Sequence, residues 1–246
     1  MFLRLLLLLT TFCLSLSFSV STMSPSVKLT YFDIEGAAEP IRLALVLSGT
    51  PFEDERVAFS DWPALKPTTP YGQLPLLTID EKLYTQSKCM LRWVGSTCSE
   101  TLYPSGKLLE VEEAIGLVED LTGTWTPCLY MAMAPTKYGY PADYAKTEEG
   151  LKMILEMRTA FVQKQLPVYL TYFENMMAKH DGKWLVAGDE PTIADCLTVA
   201  TLRAFTRGHI DGVPTTCLDT HPKVVEYIKS FCALGPIQGR YNSGIF

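Results

Sequence analysis

Residues 71–87 read Tyr-Gly-Gln-Leu-Pro-Leu-Leu-Thr-Ile-Asp-Glu-Lys-Leu-Tyr-Thr-Gln-Ser, and this stretch decides the fold. Its apolar run, residues 74–79, is followed by the polar residues 80–82 and by a second short apolar segment, which predicts a β-hairpin. A proline is tolerated at the entrance of a strand because it lacks only one hydrogen-bond donor. A cis Leu74-Pro75 bond would turn the backbone N–H and C=O of Leu74 outward to a ligand, although only about 5–6% of X-Pro bonds are cis.

A helix is predicted directly after the hairpin. Residues 88–94 (Lys-Cys-Met-Leu-Arg-Trp-Val) have an apolar pattern of helical period, and Ser87 before them is a favoured N-cap residue. The free N–H groups and the positive dipole end at the start of a helix bind carboxylates. The stretch therefore offers two backbone hydrogen bonds for a peptide and an anion site nearby. We expect it to bind a small peptide with a free carboxylate.

Four segments of the sequence resemble glutathione transferases. The motif Tyr-Gly-Gln-Leu-Pro followed by Gln86-Ser87 closely resembles their glutathione site. Lys28-Leu-Thr-Tyr-Phe-Asp-Ile-Glu-Gly36 is similar to the first strand and catalytic turn of the tyrosine-type, sigma-like members. Asp61-Trp62 resembles their second-helix segment, and Gly188-Asp-Glu-Pro-Thr-Ile-Ala-Asp195 resembles the capping box of their C-terminal domain. The motifs occur in the order of the cytosolic-type family, and the resemblance extends over residues 27–246.

The resemblance implies an α/β thioredoxin-like N-terminal domain followed by an all-α C-terminal domain. The pattern agrees, because a strand–helix–strand unit precedes an irregular segment and the hairpin. We place the glutathione-binding domain at residues 26–105 and the all-helical domain at residues 107–246, divided at a Pro-Ser-Gly linker. Pro167 is expected to kink the second long helix. The helices predicted in the second domain span residues 107–133, 144–179, 192–206 and 222–233.

Composition argues against several classes of protein. The 246-residue chain has a formal net charge of −6, a pI near 5.2 and no cluster of Lys and Arg, so a nucleic-acid surface is not expected. The seven cysteines are scattered and form no C-x-x-C motif, so neither a zinc site nor a disulfide framework is expected. The length leaves room for one large or two small domains with an ample core.

The first residues differ from the rest of the chain. Arg4 precedes an uncharged run, residues 5–20, that is rich in Leu, Phe and Ser, and residues 19–21 form a small-x-small cleavage pattern. We interpret residues 1–22 as a signal peptide, too short for a stable membrane span, and exclude them from the fold. The alternative is a start at Met23, which is followed by a normal beginning for this domain. The first interpretation predicts the secretory pathway, and the second predicts the cytoplasm.

The resemblance implies that Tyr31, at the end of the first strand, is catalytic and contacts glutathione. The glutathione thiol has a pKa near that of free cysteine, about 8.5, so it is mostly protonated at neutral pH. A phenol O–H that donates to the thiolate favours the charged form and lowers the thiol pKa. Tyr31 keeps its proton in this role. Related enzymes commonly carry an arginine after the glycine of the turn; Ala37 stands there in this chain, which puts the assistance of Tyr31 in doubt.

The resemblance also implies which residues hold the rest of glutathione. Trp62 and Lys66 match the positions that hold the glycine end of the tripeptide. Gln73 and Leu74 are expected to supply side-chain and backbone contacts. Pro75 is expected to set the backbone geometry of Leu74.

Two further positions are implied near the γ-glutamyl end. Gln86 and Ser87 are expected to bind its carboxylate. Asp120 resembles an acid that reaches into the site of the partner subunit and pairs with the γ-glutamyl amine, although the neighbouring Glu119 leaves the register open. Tyr71 resembles an aromatic residue that enters a pocket between the first two C-terminal-domain helices of the partner, which implies a homodimer.

We expect a transferase that adds the glutathione thiolate to a small apolar electrophile. Glutathione is the co-substrate, and no metal is implied. One alternative is a glutathione-dependent isomerase or prostaglandin D synthase-like activity, and another is a structural or binding protein with the same fold. Part of an apolar cluster at the end of the first long helix is expected to line the electrophile pocket, while the rest is core. This cluster comprises Trp125, Tyr130, Met131, Met133 and Tyr138.

Overall fold

The computed structural model describes residues 25–180 and 182–245, so the predicted signal segment 1–22 lies outside the described residues. The first part of the chain forms a four-stranded sheet in the order β2-β1-β3-β4. Strand β1 is parallel to β2 and antiparallel to β3, and β3 and β4 form the hairpin. This is the predicted thioredoxin-like arrangement. The strands are β1 (Val27–Phe32), β2 (Glu53–Val57), β3 (Leu76–Ile79) and β4 (Lys82–Tyr84).

The hairpin turns at two residues. Asp80 and Glu81 have φ angles of 45° and 70°, the left-handed conformation that a tight two-residue hairpin turn needs. Lys82 already pairs with Ile79, so the turn is one residue shorter than the predicted 80–82. The Leu74-Pro75 peptide bond is cis.

Two helices of the first domain pack against the sheet with their apolar faces. Helix α1 (Glu39–Leu47) buries Ile41, Leu43, Ala44 and Leu45. Helix α3 (Ser87–Cys98) approaches the second domain closely at Gly95, where a Cβ atom would lie 2.8 Å from a methyl group of Ile193. The short helix α2 (Trp62–Leu65) lies in the irregular segment before the hairpin.

The second part of the chain is helical, as predicted. Its helices are α4 (Leu108–Met133), α5 (Glu148–Ala160), α6 (Leu166–Ala178), α7 (Ile193–Thr206) and α8 (Pro222–Cys232). The predicted single helix 144–179 is wrong in detail, since a π-helical turn at Phe161–Gln165 separates α5 from α6. Pro167 explains the break, because its ring clashes with the preceding turn and it lacks an N–H donor.

Helix α7 is the centre of the helical domain. Nearly all of its residues are buried, which confirms the prediction of a central helix. Its start carries the predicted capping box, in which Thr192 and Asp195 exchange side-chain and backbone hydrogen bonds. Within residues 25–180 and 182–245, no helix has the length and apolar character needed to cross a membrane.

Candidate active site

Tyr31 lies at the end of β1, and a tight turn closes over its hydroxyl group. The backbone N–H of Ala37 donates a hydrogen bond of 3.1 Å to Tyr31 Oη. Gly36 has a φ of +45°, and a Cβ atom at this position would lie 2.6 Å from the same oxygen. Only glycine fits this approach, so the turn from Asp33 to Ala38 is shaped by its contact with the hydroxyl.

The surroundings of Tyr31 keep it protonated. Burial raises the pKa of Tyr31 above its ordinary value, and this outweighs the lowering by the Ala37 N–H. The nearby Tyr130 raises it further, and Arg42 lowers it. Because Oη accepts from Ala37, its own O–H is left to donate to a ligand. The backbone N–H of position 37 thus contacts the Tyr31 hydroxyl although the side chain there is only a methyl group.

Arg42 supports this turn from within the first domain. It is fully buried, and its Nη1 donates to the carbonyl oxygens of Ile34 and Glu35 at 2.9 and 3.1 Å. Its own position is set by ion pairs with Glu39 and Asp54. The guanidinium carbon lies 5.7 Å from the ring centroid of Tyr31. Arg42 thus holds the backbone of the turn and adds positive charge beside the phenol.

The structure connects Trp62 to Tyr31 through a row of aromatic rings. Tyr31 contacts Phe32 edge-on at a centroid distance of 5.4 Å, and Phe32 contacts Trp62 edge-on at 5.5 Å. Phe59 stacks on Phe32 at 4.7 Å. Trp62, half-buried at the start of α2, therefore lies near the same end of β1 as the catalytic candidate.

The loop before β3 carries the other candidates of the hairpin. Lys66 lies over this loop, since a Cβ atom at Gly72 would be 3.3 Å from Lys66 Cε. Gln73 is exposed, Leu74 is half-buried and Pro75 is buried. Leu74 lies beyond the last residue pair of the β1–β3 ladder, in which Thr30 faces Leu76. The backbone of Leu74 therefore lies outside the hydrogen-bonded ladder between β1 and β3.

The prediction that Ser87 is an N-cap residue is wrong. Gln86, with φ 72° and ψ 100°, occupies the N-cap position, and Ser87 is the first helical residue of α3. The left-handed conformation of Gln86 starts the helix one residue earlier than predicted, and no side chain caps it. Among the described residues, no side chain accepts from the first N–H groups of α3, and such free helix N–H groups suit a carboxylate.

Asp120 is exposed on α4. It lines a cavity of about 480 Å³ between α4 and α6, together with Tyr172 and Lys179. Its neighbour Glu119 forms an ion pair of 2.6 Å with Lys88, in the first turn of α3. Within the described part of the chain, the acid that reaches the start of α3 is thus Glu119, a contact that sequence reasoning did not assign.

The apolar cluster at the end of α4 divides into core and surface. Trp125 and Met131 are buried, and Trp125 packs against Phe205 of α7 at 5.2 Å. Tyr130 is close enough to Tyr31 to affect its pKa. Met133 and Tyr138 are exposed. Of the five predicted residues, Tyr130 is the one that the structure brings next to the catalytic candidate.

Comparison with known proteins matches both halves of the chain. Residues 27–96 match the glutathione S-transferase N-terminal domain, and residues 139–239 match the glutathione S-transferase C-terminal domain. Glutathione S-transferase 1 of Ascaris suum is 32% identical over 83% of this chain and 90% of its own length. The class-mu 28 kDa isozyme of Schistosoma japonicum is 29% identical over 88% of this chain and 97% of its own. The chain belongs to the glutathione transferase family.

Solved structures agree with this assignment. Prostaglandin synthase D of Nilaparvata lugens superposes with a TM-score of 0.69 at 25% identity, over 87% of this transferase and 95% of that chain. A monomeric glutathione S-transferase of Necator americanus, Na-GST-3, superposes with a TM-score of 0.66 at 25% identity, over 86% and 94%. The enzyme is thus a glutathione transferase with both domains of the family.

Sequence reasoning missed three contributors to the site of this transferase. The role of the Ala37 N–H could not be predicted, because every residue type except proline has a backbone N–H. Arg42 could have been found, since a lone arginine in the apolar face of α1 is unusual for a buried position. The Glu119–Lys88 pair joins two domains and has no local signal in the sequence.

Proposed function

We propose that Tyr31 activates glutathione by donating its O–H to the glutathione thiolate, which then attacks a small apolar electrophile. The observation that supports this proposal is the environment of the Tyr31 hydroxyl. Tyr31 Oη accepts from Ala37 N–H at 3.1 Å, and burial raises the pKa of the phenol. A protonated phenol whose oxygen already has a donor directs its own proton outward. That geometry favours an anion next to it.

In this mechanism the thiol proton passes to solvent before the bond to carbon forms. The sulfur lone pair then attacks the electrophilic carbon, and the leaving group departs with the displaced electron pair. Tyr31 lowers the thiol pKa from about 8.5, with roughly 1.4 kcal/mol of differential stabilisation for each unit. Holding both reactants in one cleft adds the advantage of proximity.

The tripeptide is placed along the hairpin in this proposal. The glycine end lies at Trp62 and Lys66, and the cysteinyl backbone pairs with Leu74, whose N–H and C=O lie beyond the sheet ladder. The side chain of Gln73 contributes a further hydrogen bond, and Pro75 sets the backbone geometry. The γ-glutamyl carboxylate lies at the uncapped start of α3. Gln86 and Ser87 bind it there, and the exposed helix N–H groups support the assignment. This assigns glutathione to the domain of residues 26–105.

The test is the Tyr31→Phe variant, which removes one oxygen and keeps the ring. We expect glutathione affinity to be retained and the pKa of the bound thiol, followed by ultraviolet absorbance, to rise. Most of the rate at neutral pH should be lost. Tyr130→Phe is the matched control, because it removes a neighbouring phenol hydroxyl. A Tyr31→Phe variant whose bound thiol titrates like the parent would show that Tyr31 does not stabilise the thiolate.

A homodimer completes the proposal. Tyr71 is 68% exposed at the tip of a proline-stiffened loop, where an aromatic side chain is presented at little entropic cost. The cavity between α4 and α6 could accept such a ring from a second copy, and Asp120 lines that cavity. A two-fold interface would use each contact twice. The Necator americanus relative is described as monomeric, so dimerisation does not follow from the family alone.

A second candidate activity is a glutathione-dependent isomerisation. It is favoured by one observation, the superposition on prostaglandin synthase D of Nilaparvata lugens. An isomerase uses the thiolate and returns it unchanged, whereas a transferase consumes it. Measuring free thiol during turnover of a prostaglandin endoperoxide and of a halogenated dinitrobenzene distinguishes the two. Product formation from the endoperoxide without loss of thiol would establish the second activity.

A further inference from the structure

Arg203, on the central helix α7, is a fully buried arginine that joins three parts of the molecule. Its Nη2 lies 3.4 Å from a carboxylate oxygen of Glu35, in the turn beside Tyr31. The same nitrogen donates to the carbonyl oxygen of Ser243 at 3.1 Å, and Nη1 donates to the carbonyl oxygen of Ile245. A single guanidinium group thus connects the helical domain, the C-terminal tail and the turn over the catalytic candidate.

Glu35 lies between two arginines. Arg207, one helical turn beyond Arg203, places its Nε 3.3 Å from the same Glu35 oxygen. The second carboxylate oxygen of Glu35 and the Nε atom of Arg203 are buried and make no hydrogen bond within the part of the chain that the structure describes, and Arg207 Nε has only its ion pair with Glu35. Buried polar atoms without partners cost stability. Stability alone therefore does not account for this cluster at this place.

The residues that follow Glu35 in sequence indicate why the charged cluster lies at this turn. Gly36 follows it and approaches Tyr31 Oη so closely that a Cβ atom would clash, and Ala37 then donates to that oxygen. Arg42 holds the backbone carbonyls of the turn from one side. Arg203 and Arg207 hold its side chain from the other side, across the domain boundary.

We propose that Arg203, supported by Arg207, is a positioning residue that holds Glu35 and so keeps the Ala37 N–H aligned with Tyr31 Oη. The proposal rests on the role assigned to Tyr31 above. The Ala37 bond of 3.1 Å is near the long end of the range for N–H···O bonds, about 2.7–3.2 Å, so a shift of a few tenths of an ångström weakens it. Without that donor, the phenol oxygen is less able to polarise its own O–H toward the thiolate.

The C-terminal tail takes part in the same arrangement. Ile245 N–H donates to Thr206 Oγ1 at 3.2 Å, and Tyr241 stacks under the Arg203 guanidinium at 3.5 Å. These contacts fix the guanidinium on the sides that do not face Glu35. The tail therefore orients Arg203, and Arg203 orients the turn.

The test compares Glu35→Gln, Arg203→Gln and the double variant with the parent and with Tyr31→Phe. We expect each of the first three to raise the pKa of the bound glutathione thiol by about 0.5–1 unit. The value of kcat/KM should fall about three- to tenfold below that pKa and equal the parent value above it. The double variant should resemble Glu35→Gln, because that change alone already removes the pair with Arg203.

The control variant is Arg92→Met. Arg92 pairs with Glu112 at 2.8 and 2.6 Å and, like Arg203, joins the two domains, but it does not touch the turn. It should lower stability and leave the thiol titration unchanged. If Arg203→Gln does not fold, Glu35→Gln, at a half-buried surface turn, decides alone.

The outcomes separate the two proposals. A Glu35→Gln thiol that titrates like the parent, while Tyr31→Phe shifts it, would overturn the positioning role and leave the role of Tyr31 intact. If neither variant shifts the titration, both proposals fail. Equal shifts in Arg92→Met would show that loosening the domain contact is sufficient, and this would also overturn the specific role of Arg203.

Discussion

Replacing Asp195 with alanine should strongly destabilise the transferase. Asp195 is fully buried at the start of α7 and accepts four hydrogen bonds. Thr192 provides two of them, from its backbone N–H at 2.7 Å and its hydroxyl at 3.0 Å. Leu185 N–H donates at 3.0 Å and Tyr227 Oη at 2.9 Å. One carboxylate therefore ties the start of α7 to the preceding loop and to α8.

The magnitude follows from what the change leaves behind. Loss of the capping interaction costs about 0.5–2 kcal/mol. The Leu185 N–H and the Tyr227 hydroxyl would then be buried without an acceptor, at about 1–3 kcal/mol each. The expected loss is about 3–8 kcal/mol, against a total stability of about 5–15 kcal/mol for a typical native protein. Asp195→Ala should therefore remove much of the stability of the helical domain.

Urea unfolding followed by circular dichroism measures the loss. Tyr227→Phe is the matched control, because it removes one donor and leaves the other three bonds of Asp195 in place. We expect about 1 kcal/mol for that control. If Asp195→Ala unfolds at the same urea concentration as Tyr227→Phe, the capping box is not a major source of stability and the reasoning is refuted.

Three further predictions concern the ligand, the interface and pH. Ser87→Ala should weaken glutathione binding by roughly 1.5–3 kcal/mol by calorimetry, since it removes a donor to a carboxylate, and unchanged affinity would place the carboxylate elsewhere. Tyr71→Ala should weaken a dimer by about 2 kcal/mol or more for each ring, as measured by sedimentation, and a monomeric parent would refute the interface. Burial raises the pKa of Glu39, but the hydrogen bond and charge of Arg240, with smaller contributions from Tyr241 and Arg42, outweigh burial, and the pKa ends below its ordinary value. The ionised Glu39 therefore stabilises the fold above that ordinary value and loses this effect as the pH falls through the lowered one, so Arg240→Met should flatten the decline of stability in acid; equal declines would contradict this.

The sheet was predictable because its signals are local. Residues 74–85 consist of two apolar segments separated by polar residues, which is typical of a hairpin. The structure forms that hairpin with a turn at Asp80 and Glu81. The start of α3 was misplaced by one residue, because cap positions depend on the φ angle of Gln86, which residue type does not reveal.

Two prolines show that residue type alone does not predict whether a helix breaks. Pro127 remains inside α4, whereas Pro167 follows a π-helical turn that separates α5 from α6. A proline in a helix therefore does not always break it, and a break is only the commoner result.

The arrangement around Tyr31 shows why a missing motif residue is weak evidence against activity. Related enzymes commonly carry an arginine at position 37; this chain has alanine there, and the backbone N–H of that position donates to Tyr31 Oη. The positive charge beside the phenol comes from Arg42, and the turn is tied to Arg203, which is 168 residues away from Glu35 in sequence. A motif records which side chains occur within one stretch, whereas the electrostatics of a site sum over every element packed against it. The consequence for this chain is specific: alanine at position 37 lacks the guanidinium group of an arginine, but the backbone donor to Tyr31 and the charge of Arg42 are both present, so the motif position alone does not predict a loss of activity.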